Sequence, residues 1–596
     1  MSTQLEKQAC PVVRGGSFLI EDHAPADIFT PEDFTEEHKM IAQTAEDFVF
    51  QEVVPHEPEL EKKNWVLLVD LLRKAASLGL TSMDIPEEYG GLALDKVSSI
   101  LVSEKIAASA SFATTHGGHA GIGTLPIVYF GNEAQKAKYL PRLATAELPA
   151  AYCLTEPGSG SDALAAKTKA VLNAEGTHYV LNGEKMWITN AGFADLFVVF
   201  AKIDGDKFTG FIVERGFPGV SVAPEEHKMG LQSSSTCAVR LNDAMVPVEN
   251  VLGEIGKGHK IAFDILNIGR FKLGASSCGG AKYALRSATQ YAKERKQFGV
   301  PIASFGLIQQ KLAEIAIRTF AAESMVYRTA GMIDTLLGTI DKSNSTAVLQ
   351  SIEEYAVECS TIKVWNSEMI DYVVDEEVQI YGGNGDSRDY PAEKHYRDAR
   401  INRIFEGTNE INRLLISGML LKRAMKNDIP LMPAVMKLMG EVMSLPQLEE
   451  ESDGLLAAEL KACANAKKVA LLVAGAAAQT FRDKVKDEQE VLALASNIIM
   501  QAYAMESSVL RALKLAEDGG DRAEVAAEMA RVFVYDSVPQ VDAWARAALA
   551  ATLEGDDLRT MLAALRRFTK QTPVNTVALR RKIAARVIAT ERYPLS

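Results

Sequence analysis

The sequence predicts a mainly helical α+β fold, with an antiparallel β domain between two helical domains and an extra helical domain at the C-terminus. Apolar residues recur at three- and four-residue spacing over Thr35–Val53 and Trp65–Leu78, as in amphipathic helices. From Ala150 to Leu241 the pattern changes to short runs of strand-forming residues, about ten positions apart. Because no helical stretch separates these runs, they indicate a sandwich or barrel rather than alternating βαβ units.

Proline and glycine residues mark the boundaries between the predicted segments of the chain. Pro31 begins the first helical region, and Pro86 and Gly90 interrupt it. The predicted strands are Lys167–Leu172, His178–Leu181, Leu196–Ala201, Phe208–Val213 and Ala238–Leu241, with turn signals at Asn182-Gly183 and Asp204-Gly205. We predict an N-terminal extension (1–33), a helical domain (34–150), a β domain (151–262), a second helical domain (263–427), a proline-containing linker (428–450) that could be partly helical, and a C-terminal helical domain (451–596).

Composition excludes several classes of protein. The 596 residues include 64 basic and 78 acidic side chains, a net charge of −14, which disfavours nucleic acid as a partner. The six cysteines lie far apart without a C-x-x-C pair, which excludes a disulfide scaffold and argues against cysteine metal sites. No export signal opens the chain and no apolar run approaches the length of a membrane span, so we expect an intracellular, cytoplasmic protein.

The first chemically informative segment is the loop Tyr152–Ala163. Its Gly158-x-Gly160-x-x-Ala163 pattern imitates a dinucleotide-binding fingerprint, but a fingerprint opens a helix, whereas here a strand follows. Two interpretations remain open. The loop is either a glycine- and serine-rich cradle for a phosphate or a flavin edge, or a plain surface turn.

The second segment is Gly183–Asn190, which contains one of only four tryptophans. The indole of Trp187 could cover a flat aromatic cofactor while the hydroxyl of Thr189 hydrogen-bonds its polar rim. Core packing is the ordinary alternative for such a tryptophan.

The third segment is Arg403–Ile411, in which Glu406 stands between apolar residues and Gly407. A carboxylate among apolar neighbours has a raised pKa, which suits a general base. Thr408 is also a candidate N-cap of a following helix, and the negative charge of Glu406 would interact favourably with the dipole of that helix. The capping interpretation and the general-base interpretation can both hold.

In this order, the three segments strongly resemble the acyl-CoA dehydrogenase family. The resemblance covers about Phe34 to Arg423. Four supporting stretches are Ile85–Gly91, Val246–Gly253, Glu294–Gly299 and Gln379–Gly385.

The resemblance implies FAD, held between the β domain and the second helical domain. The positions matched to its flavin contacts are Thr155, Ser161, Trp187 and Thr189, with Thr408 and Glu410 near its ribityl and diphosphate end. The positions matched to contacts with a neighbouring subunit's FAD are Arg295, Phe298, Gln379 and Gly383, which implies a homo-oligomer, with a dimer favoured.

The resemblance also implies a metal-free reaction in which Glu406 removes the α-proton of an acyl-CoA thioester. One branch of the family carries this base directly before an arginine of the preceding helix; here that position is Gly269, before Arg270, so Glu406 is implied. Ser161, Arg270 and Gly407 match positions on the substrate side.

The implied activity is oxidation of fatty acyl-CoA to trans-2-enoyl-CoA in β-oxidation, with electrons passed to electron-transfer flavoprotein. Two alternatives remain: an acyl-CoA oxidase that uses dioxygen, and an assembly protein that keeps the fold without the activity. Assays of the electron acceptor distinguish an oxidase from a dehydrogenase, and the intact Glu406 argues against an inactive assembly protein.

Two departures from the usual family pattern indicate the very-long-chain branch. Gly306 stands where most members carry glutamine, and that branch also has an added C-terminal helical domain. The run Thr115–Gly123 is crowded with small residues that helix propensity disfavours, so we predict that it leaves room for a long acyl chain. His116 and His119 in this run lack a third ligand nearby, which disfavours a metal site.

The C-terminal domain ends in a basic amphipathic stretch that contrasts with the acidic chain. Its cations are Arg566, Arg567, Lys570, Arg580, Arg581, Lys582 and Arg586. They could face anionic lipid or acidic groups of the same fold, and we favour packing within the chain over membrane contact.

Overall fold

The computed structural model describes residues 11–444 and 453–596. In the first helical region, Thr35 caps the first helix, α1, since its hydroxyl accepts a hydrogen bond from the His38 backbone N–H at 3.2 Å, and Asn132 caps α7 reciprocally with Gln135. The helices of this region are α1 (Glu36–Phe48), α2 (Glu57–Leu60), α3 (Trp65–Ser77), α4 (Lys96–Lys105), α5 (Ala110–His116), α6 (Leu125–Phe130) and α7 (Glu133–Ala144).

The predicted β domain is confirmed as one eight-stranded sheet. Its strands are β1 (Ala150–Cys153), β2 (Lys169–Leu172), β3 (His178–Thr189), β4 (Leu196–Ile203), β5 (Lys207–Glu214), β6 (Val220–Glu225), β7 (Thr236–Pro247) and β8 (Val251–Leu252). They follow the order β6-β7-β3-β2-β4-β5-β8, with β1 on β4. The sheet is mixed rather than purely antiparallel, because β1 and β2 both run parallel to β4, joined by the long 154–168 loop.

The Asn182-Gly183 pair is not the turn that the sequence predicts. Strand β3 continues through it to Thr189, with a register irregularity against β7 at this point. Asn182 instead bonds Asp243 across the pair of strands, and Gly183 lies where a Cβ would collide with Thr168. Cross-strand contacts therefore override the local turn preference.

The second helical domain contains the longest helix of the described residues, α8 (Gly258–Glu294). A short hairpin, β9 (Lys296–Gln297) and β10 (Val300–Pro301), follows it. The remaining helices are α9 (Gly306–Leu337), α10 (Ser345–Glu354), α11 (Ala356–Tyr381), α12 (Pro391–Ala399) and α13 (Asn409–Met425). Helices α8 and α11 run side by side in the same direction, since Gly274 faces Ile362 and Gly280 faces Ile370.

The C-terminal domain is helical as predicted, and α15 to α17 form its centre. Its helices are α14 (Leu431–Met443), α15 (Ala457–Phe481), α16 (Gln489–Asp518), α17 (Gly520–Thr552), α18 (Gly555–Phe568) and α19 (Thr576–Thr590). Helix α14 occupies much of the predicted linker and packs on α15, where Glu441 pairs with Lys468 at 2.8 Å. Positions 445–450 of that linker lie outside the described residues.

The basic stretch near the C-terminus pairs with the chain itself. Arg580 contacts Glu314 and Asp536, Lys582 lies 3.1 Å from Glu528, and Arg586 lies 2.7 Å from Glu524. Arg567 also reaches Glu441, at 3.7 Å. In the described ranges, 11–444 and 453–596, no helix has the length and hydrophobicity that a membrane crossing requires.

Candidate active site

A cleft enclosing about 1350 Å³ of empty space, part of it open to solvent, lies between the first helical region and helices α8, α11 and α12. Small side chains line much of it. They are Ser103, Ala107, Ala110, Ala113, Gly117, Gly118, Gly121, Gly269, Ser276, Ser277 and Gly280. A Cβ added at Gly117 or Gly121 would meet open space. The predicted small-residue run does therefore border an open volume, and its Gly117–Gly123 part is a π-helix.

His116 and His119 in that run are structural. His116 Nε2 donates to the carbonyl of Leu80 at 2.7 Å, and His119 Nε2 donates to that of Leu143 at 3.0 Å. Burial lowers the pKa of each to about 4, so both are neutral. Across the described part of the chain, no group of three or more His, Cys, Asp and Glu could hold a metal ion.

Glu406 lines this cleft on a tight turn between α12 and α13. It has a left-handed backbone, with φ of +58°, and Gly407 follows at +81°. Its Oε2 is buried and has no hydrogen-bond partner among the described residues. Such an orphaned carboxylate oxygen costs stability, which marks it as a candidate reacting group.

Gly269 of α8 provides the space that this carboxylate occupies. A Cβ at position 269 would lie 2.5 Å from Glu406 Oε2 and 2.8 Å from its Cδ. Any side chain at 269 would therefore displace the carboxylate of Glu406. The two positions that could carry a base in the family are in direct contact here, and only one has a side chain.

Burial raises the pKa of Glu406 to about 7, although Arg270 and Lys363 nearby oppose the shift. A carboxylate with a pKa near neutrality is present in useful amounts as a base and binds a proton strongly enough to accept one.

Three buried side chains hold the backbone of the turn. Arg270 Nε donates to the carbonyl of Glu406 at 3.2 Å, Lys363 Nζ to that of Gly407 at 2.7 Å, and Asn412 Nδ2 to that of Gly407 at 2.8 Å. Asn412 Nδ2 also reaches the carbonyl of Thr408, at 3.1 Å. We call Arg270, Lys363 and Asn412 the turn clamp.

The clamp changes the interpretation of Arg270 and adds residues that sequence reasoning missed. Arg270 is buried against the turn and also donates to Asn267 at 2.8 Å, and its predicted contact with coenzyme A stays a prediction. Lys363 is fully buried on α11, and burial lowers its pKa to about 7. Its one sequence signal is a cation within the apolar run Ile362-Lys363-Val364-Trp365.

Thr408 begins α13 as the N-cap, since its Oγ1 accepts a hydrogen bond from the Ile411 backbone N–H at 3.3 Å. Glu410 is exposed in the first turn of the same helix. The capping interpretation of Thr408 is therefore correct, whatever else the residue contacts.

Trp187 is not a core residue. Its side chain is 54% exposed, and its backbone has φ of +59° at the irregularity between Lys185 and Ile188 in the β3–β7 pairing. Thr189, two residues further, lines the same cleft as Glu406. A half-exposed indole beside this cleft is available to cover a flat ligand.

A buried ion pair anchors the loop that carries Thr155 and Ser161. Glu156 accepts a hydrogen bond from Lys185 Nζ at 2.7 Å and another from the Thr168 N–H at 3.1 Å. Ser161 is exposed, and a Cβ at Gly158 or Gly160 would meet open space. The loop is thus a fixed platform with an open polar surface.

The four positions matched to a neighbouring subunit's cofactor lie at another end of the domain. Arg295 caps the C-terminus of α8 and Phe298 is 95% exposed on the β9–β10 hairpin. Gln379 and Gly383 are exposed at the end of α11, which is joined to the end of α8 by a stacked tyrosine pair, Tyr291 and Tyr381. About 26 residues of helix separate Gly269 from Arg295, a distance of roughly 39 Å.

Family models match most of the chain. The acyl-CoA dehydrogenase N-terminal domain matches residues 35–147, the middle domain matches 151–244, and two C-terminal domain models match 256–421 and 465–567. A probable acyl-CoA dehydrogenase of Bacillus subtilis (strain 168) is 51% identical over 99% of this chain and all of that protein. The chain belongs to the acyl-CoA dehydrogenase family.

Two further comparisons refine this assignment. The crystal structure of an acyl-CoA dehydrogenase complexed with FAD from Bacillus anthracis has a TM-score of 0.96 and 53% identity, covering 98% of this chain and all of the other. The human very long-chain specific acyl-CoA dehydrogenase is 41% identical over 57% of this chain and 51% of that protein. This family of oxidoreductases uses FAD, and the present chain shares its fold, including the extra C-terminal domain.

The residues of the site fit such a cofactor. An exposed indole, an open glycine-containing loop and a cleft-lining threonine come from the β domain, and the orphaned Glu406 of the helical domain lines the same cleft as the threonine. The sheet and the helices thus provide the two walls that a flat ring system requires.

Proposed function

We propose that this protein dehydrogenates long-chain fatty acyl-CoA thioesters to trans-2-enoyl-CoA, with Glu406 as the general base. The observation that carries the proposal is the unpartnered Glu406 carboxylate, which lies over Gly269 at the wall of a long cleft. The backbone carbonyls of Glu406, Gly407 and Thr408 are all hydrogen-bonded, so the Glu406 carboxylate is the acidic group of the turn left for chemistry.

Bound FAD supplies a hydride acceptor for the substrate's β-carbon. Thr155, Ser161, Trp187 and Thr189 would hold its ring system, and Thr408 and Glu410 its ribityl and diphosphate end. Glu406 removes the α-proton and retains it, and its pKa near 7 suits that task. The turn clamp keeps the carboxylate in place, while Ser161, Gly407 and Arg270 border the thioester end, with Arg270 acting through the turn.

The preference for long chains follows from the cleft. Its small residues leave an open volume, and its walls include Ile106, Ile268, Leu273, Ile370 and Val374. A saturated chain gains roughly 0.8 kcal/mol for each methylene group that it buries. A short thioester would leave most of this cleft without a ligand and forgo that gain.

A second subunit would complete the cofactor site. Arg295, Phe298, Gln379 and Gly383 are exposed and lie far along α8 and α11 from Glu406, so they do not serve the site of their own chain. A guanidinium and an exposed aromatic ring suit a diphosphate and its nucleoside in a homodimer.

The experiment that tests this function is anaerobic titration of the FAD-loaded protein with saturated thioesters from butyryl-CoA to eicosanoyl-CoA. We expect loss of the visible absorbance of oxidised flavin, with the tightest titration for chains of sixteen carbons or longer. Bleaching by short thioesters alone would contradict the long-chain assignment.

The electron acceptor is tested on the same reduced protein. We propose electron-transfer flavoprotein as the partner, so reoxidation should be fast with it and slow with dioxygen. Rapid, stoichiometric peroxide formation would identify an oxidase instead.

A further inference from the structure

The far end of the acyl cleft is polar. Tyr283 and His395 both line it, with ring centroids 5.3 Å apart. About 14 residues of α8 separate Gly269 from Tyr283, a rise of roughly 21 Å. Helix α11 gives an independent measure, because Lys363 at the turn and Glu377 beside His395 are also about 14 residues, or ~21 Å, apart.

Each of the two rings offers a hydrogen-bond donor. His395 Nδ1 donates to Glu377 at 2.9 Å, and its other nitrogen, Nε2, has no partner among the described residues. Within the described ranges, the hydroxyl of Tyr283 also lacks one. Burial raises the pKa of Tyr283, and although burial alone would lower the pKa of His395, Glu377 raises it. The phenol of Tyr283 therefore keeps its proton, and Glu377 favours the protonated form of His395, in which Nε2 donates.

Neither sign of charge dominates this end of the cleft. The cations are His395, Lys394 and Arg286, and Lys394 donates to Asp398 at 2.7 Å and lies 3.5 Å from Glu57. An added carboxylate would lose its hydration on burial there, whereas an uncharged oxygen would find two donors.

We propose that Tyr283 and His395 form a binding subsite for an uncharged oxygen, such as a hydroxyl, at the far terminus of a long acyl chain. The inference rests on the proposed acyl-CoA dehydrogenation. An extended hydrocarbon advances ~1.25 Å per carbon, given a C–C bond of ~1.5 Å, so ~21 Å corresponds to a chain of about 16 to 18 carbons. Shorter chains end before this pair of rings, so a terminal hydroxyl on them cannot reach either donor.

The test compares kcat/KM of ω-hydroxyhexadecanoyl-CoA with that of hexadecanoyl-CoA, and the same ratio for the dodecanoyl pair. We expect the ratio for the longer pair to stay within about threefold of one, and that for the shorter pair to fall by about tenfold or more, since its hydroxyl is buried short of Tyr283 and His395. A hydroxyl penalty as large for the longer pair as for the shorter pair would overturn the subsite.

Tyr283→Phe identifies the donor, because it removes one hydroxyl and little volume. The ratio for the longer pair should fall about fivefold or more, and that for the shorter pair should not change. His395→Leu combined with Glu377→Leu removes the second donor without leaving an unpaired carboxylate, and should act in the same direction. An unchanged ratio in both variants would overturn the assignment of these donors.

Binding without turnover provides a second readout. The FAD-loaded Glu406→Gln protein, titrated with each thioester and followed by flavin spectral shifts, should show the same pattern in Kd. Preference for an ω-carboxyl chain over the ω-hydroxyl chain would overturn the charge argument. If hexadecanoyl-CoA itself is not oxidised by the unmodified enzyme, the proposed function fails, whereas oxidation of hexadecanoyl-CoA with an undiminished hydroxyl penalty defeats only the subsite.

Discussion

Glu406 combines a left-handed backbone with a buried, unpartnered carboxylate oxygen. A non-glycine residue in this conformation costs about 1–3 kcal/mol, so the surroundings must enforce it. They do so through the turn clamp, which bonds carbonyls of the turn and leaves the carboxylate free. Strain and an orphaned oxygen at the same residue are expected where chemistry rather than stability has shaped the geometry.

The pH dependence of activity should report Glu406. As a base, it must be deprotonated, and its pKa is raised to about 7. We expect kcat/KM for a long-chain thioester to rise about tenfold per pH unit below pH 7 and to level off above it. A profile that is flat from pH 5.5 to 8 would show that a different group accepts the proton.

Gly269→Ala should impair catalysis without removing the cofactor. The added Cβ would lie 2.5 Å from Glu406 Oε2 and push the carboxylate aside. A displacement of this size should lower kcat/KM by about 100-fold. The control is Gly418→Ala on α13, where the added Cβ would meet open space away from the cleft. Equal activity of the two variants would refute the contact.

At this scale the sequence singles out Glu406 but not the residues that hold its backbone. Glu406 and Trp187 stand out because a carboxylate between apolar residues and a rare tryptophan can be recognised in the sequence alone. Lys363 contributes by donating to the carbonyl of Gly407, a contact that forms only when α11 meets the start of α13. Asn412 instead folds back on the carbonyls just before its own helix. The position of Arg270 in the sequence makes it a candidate site residue, but its orientation toward the turn could not be predicted.

At the scale of elements, three helices meet at one turn. Helix α8 supplies Gly269 and Arg270, α11 supplies Lys363, and α13 begins at the turn itself. A lysine inside a helix interface is costly to bury, and its bonds to Gly407 and Asn409 at 2.7 Å offset that cost. The lysine therefore connects the helix packing to the position of the base.

Lys363→Met should raise the pKa of Glu406 and loosen the turn. Removal of the cation removes one of the two groups that lower this pKa, so the activity profile should move to higher pH. The loss of the lysine's bonds to Gly407 and Asn409 should cost about 1–3 kcal/mol of unfolding free energy, although Asn412 still donates to the Gly407 carbonyl. Lys422→Met, an exposed change on α13, is the control and should alter neither quantity. An unshifted pH profile in the Lys363→Met variant would contradict this role.

Secondary-structure elements were predicted best where the spacing of apolar residues stays regular over many positions. The helices on both sides of the β domain follow from apolar spacing, and the strands from short β-branched and aromatic runs. The continuation of β3 through Asn182-Gly183 and the parallel pairing of β1 and β2 with β4 depend on neighbouring strands. Local turn chemistry cannot reveal such partners.

At the scale of the whole molecule, buried charges join segments that are distant in sequence. Arg511 of α16 is almost completely buried and bonds Glu323 of α9 at 2.6 Å and Glu32 of the N-terminal extension at 3.0 Å. Lys282 of α8 bonds Glu323 and also Glu104 of α4. The C-terminal domain is thereby tied to the helical domains that contain the site.

Arg511→Met should destabilise the protein strongly, because it leaves Glu32 and Glu323 buried without their guanidinium. We expect a loss of about 3–5 kcal/mol in urea unfolding. Arg559→Met removes an exposed pair with Asp556 and should cost less than about 1 kcal/mol. Similar losses in the two variants would show that the buried network does not join the domains.

The same buried charge network limits the stability of the protein at low pH. The partners of Glu323 lower its pKa from 4.5 to about 2, so the stability they contribute is complete above pH 4.5 and is lost as the pH falls toward 2. In Arg511→Met this acid dependence should weaken.

The claim on which the account depends is that Glu406 takes the α-proton. Anaerobic mixing of hexadecanoyl-CoA with FAD-loaded wild-type and Glu406→Gln proteins tests it most directly. We predict that both proteins bind FAD and the thioester, and that visible flavin absorbance is lost in the wild type but at least about a thousandfold more slowly in the variant. Bleaching of the variant at the wild-type rate would contradict the assignment.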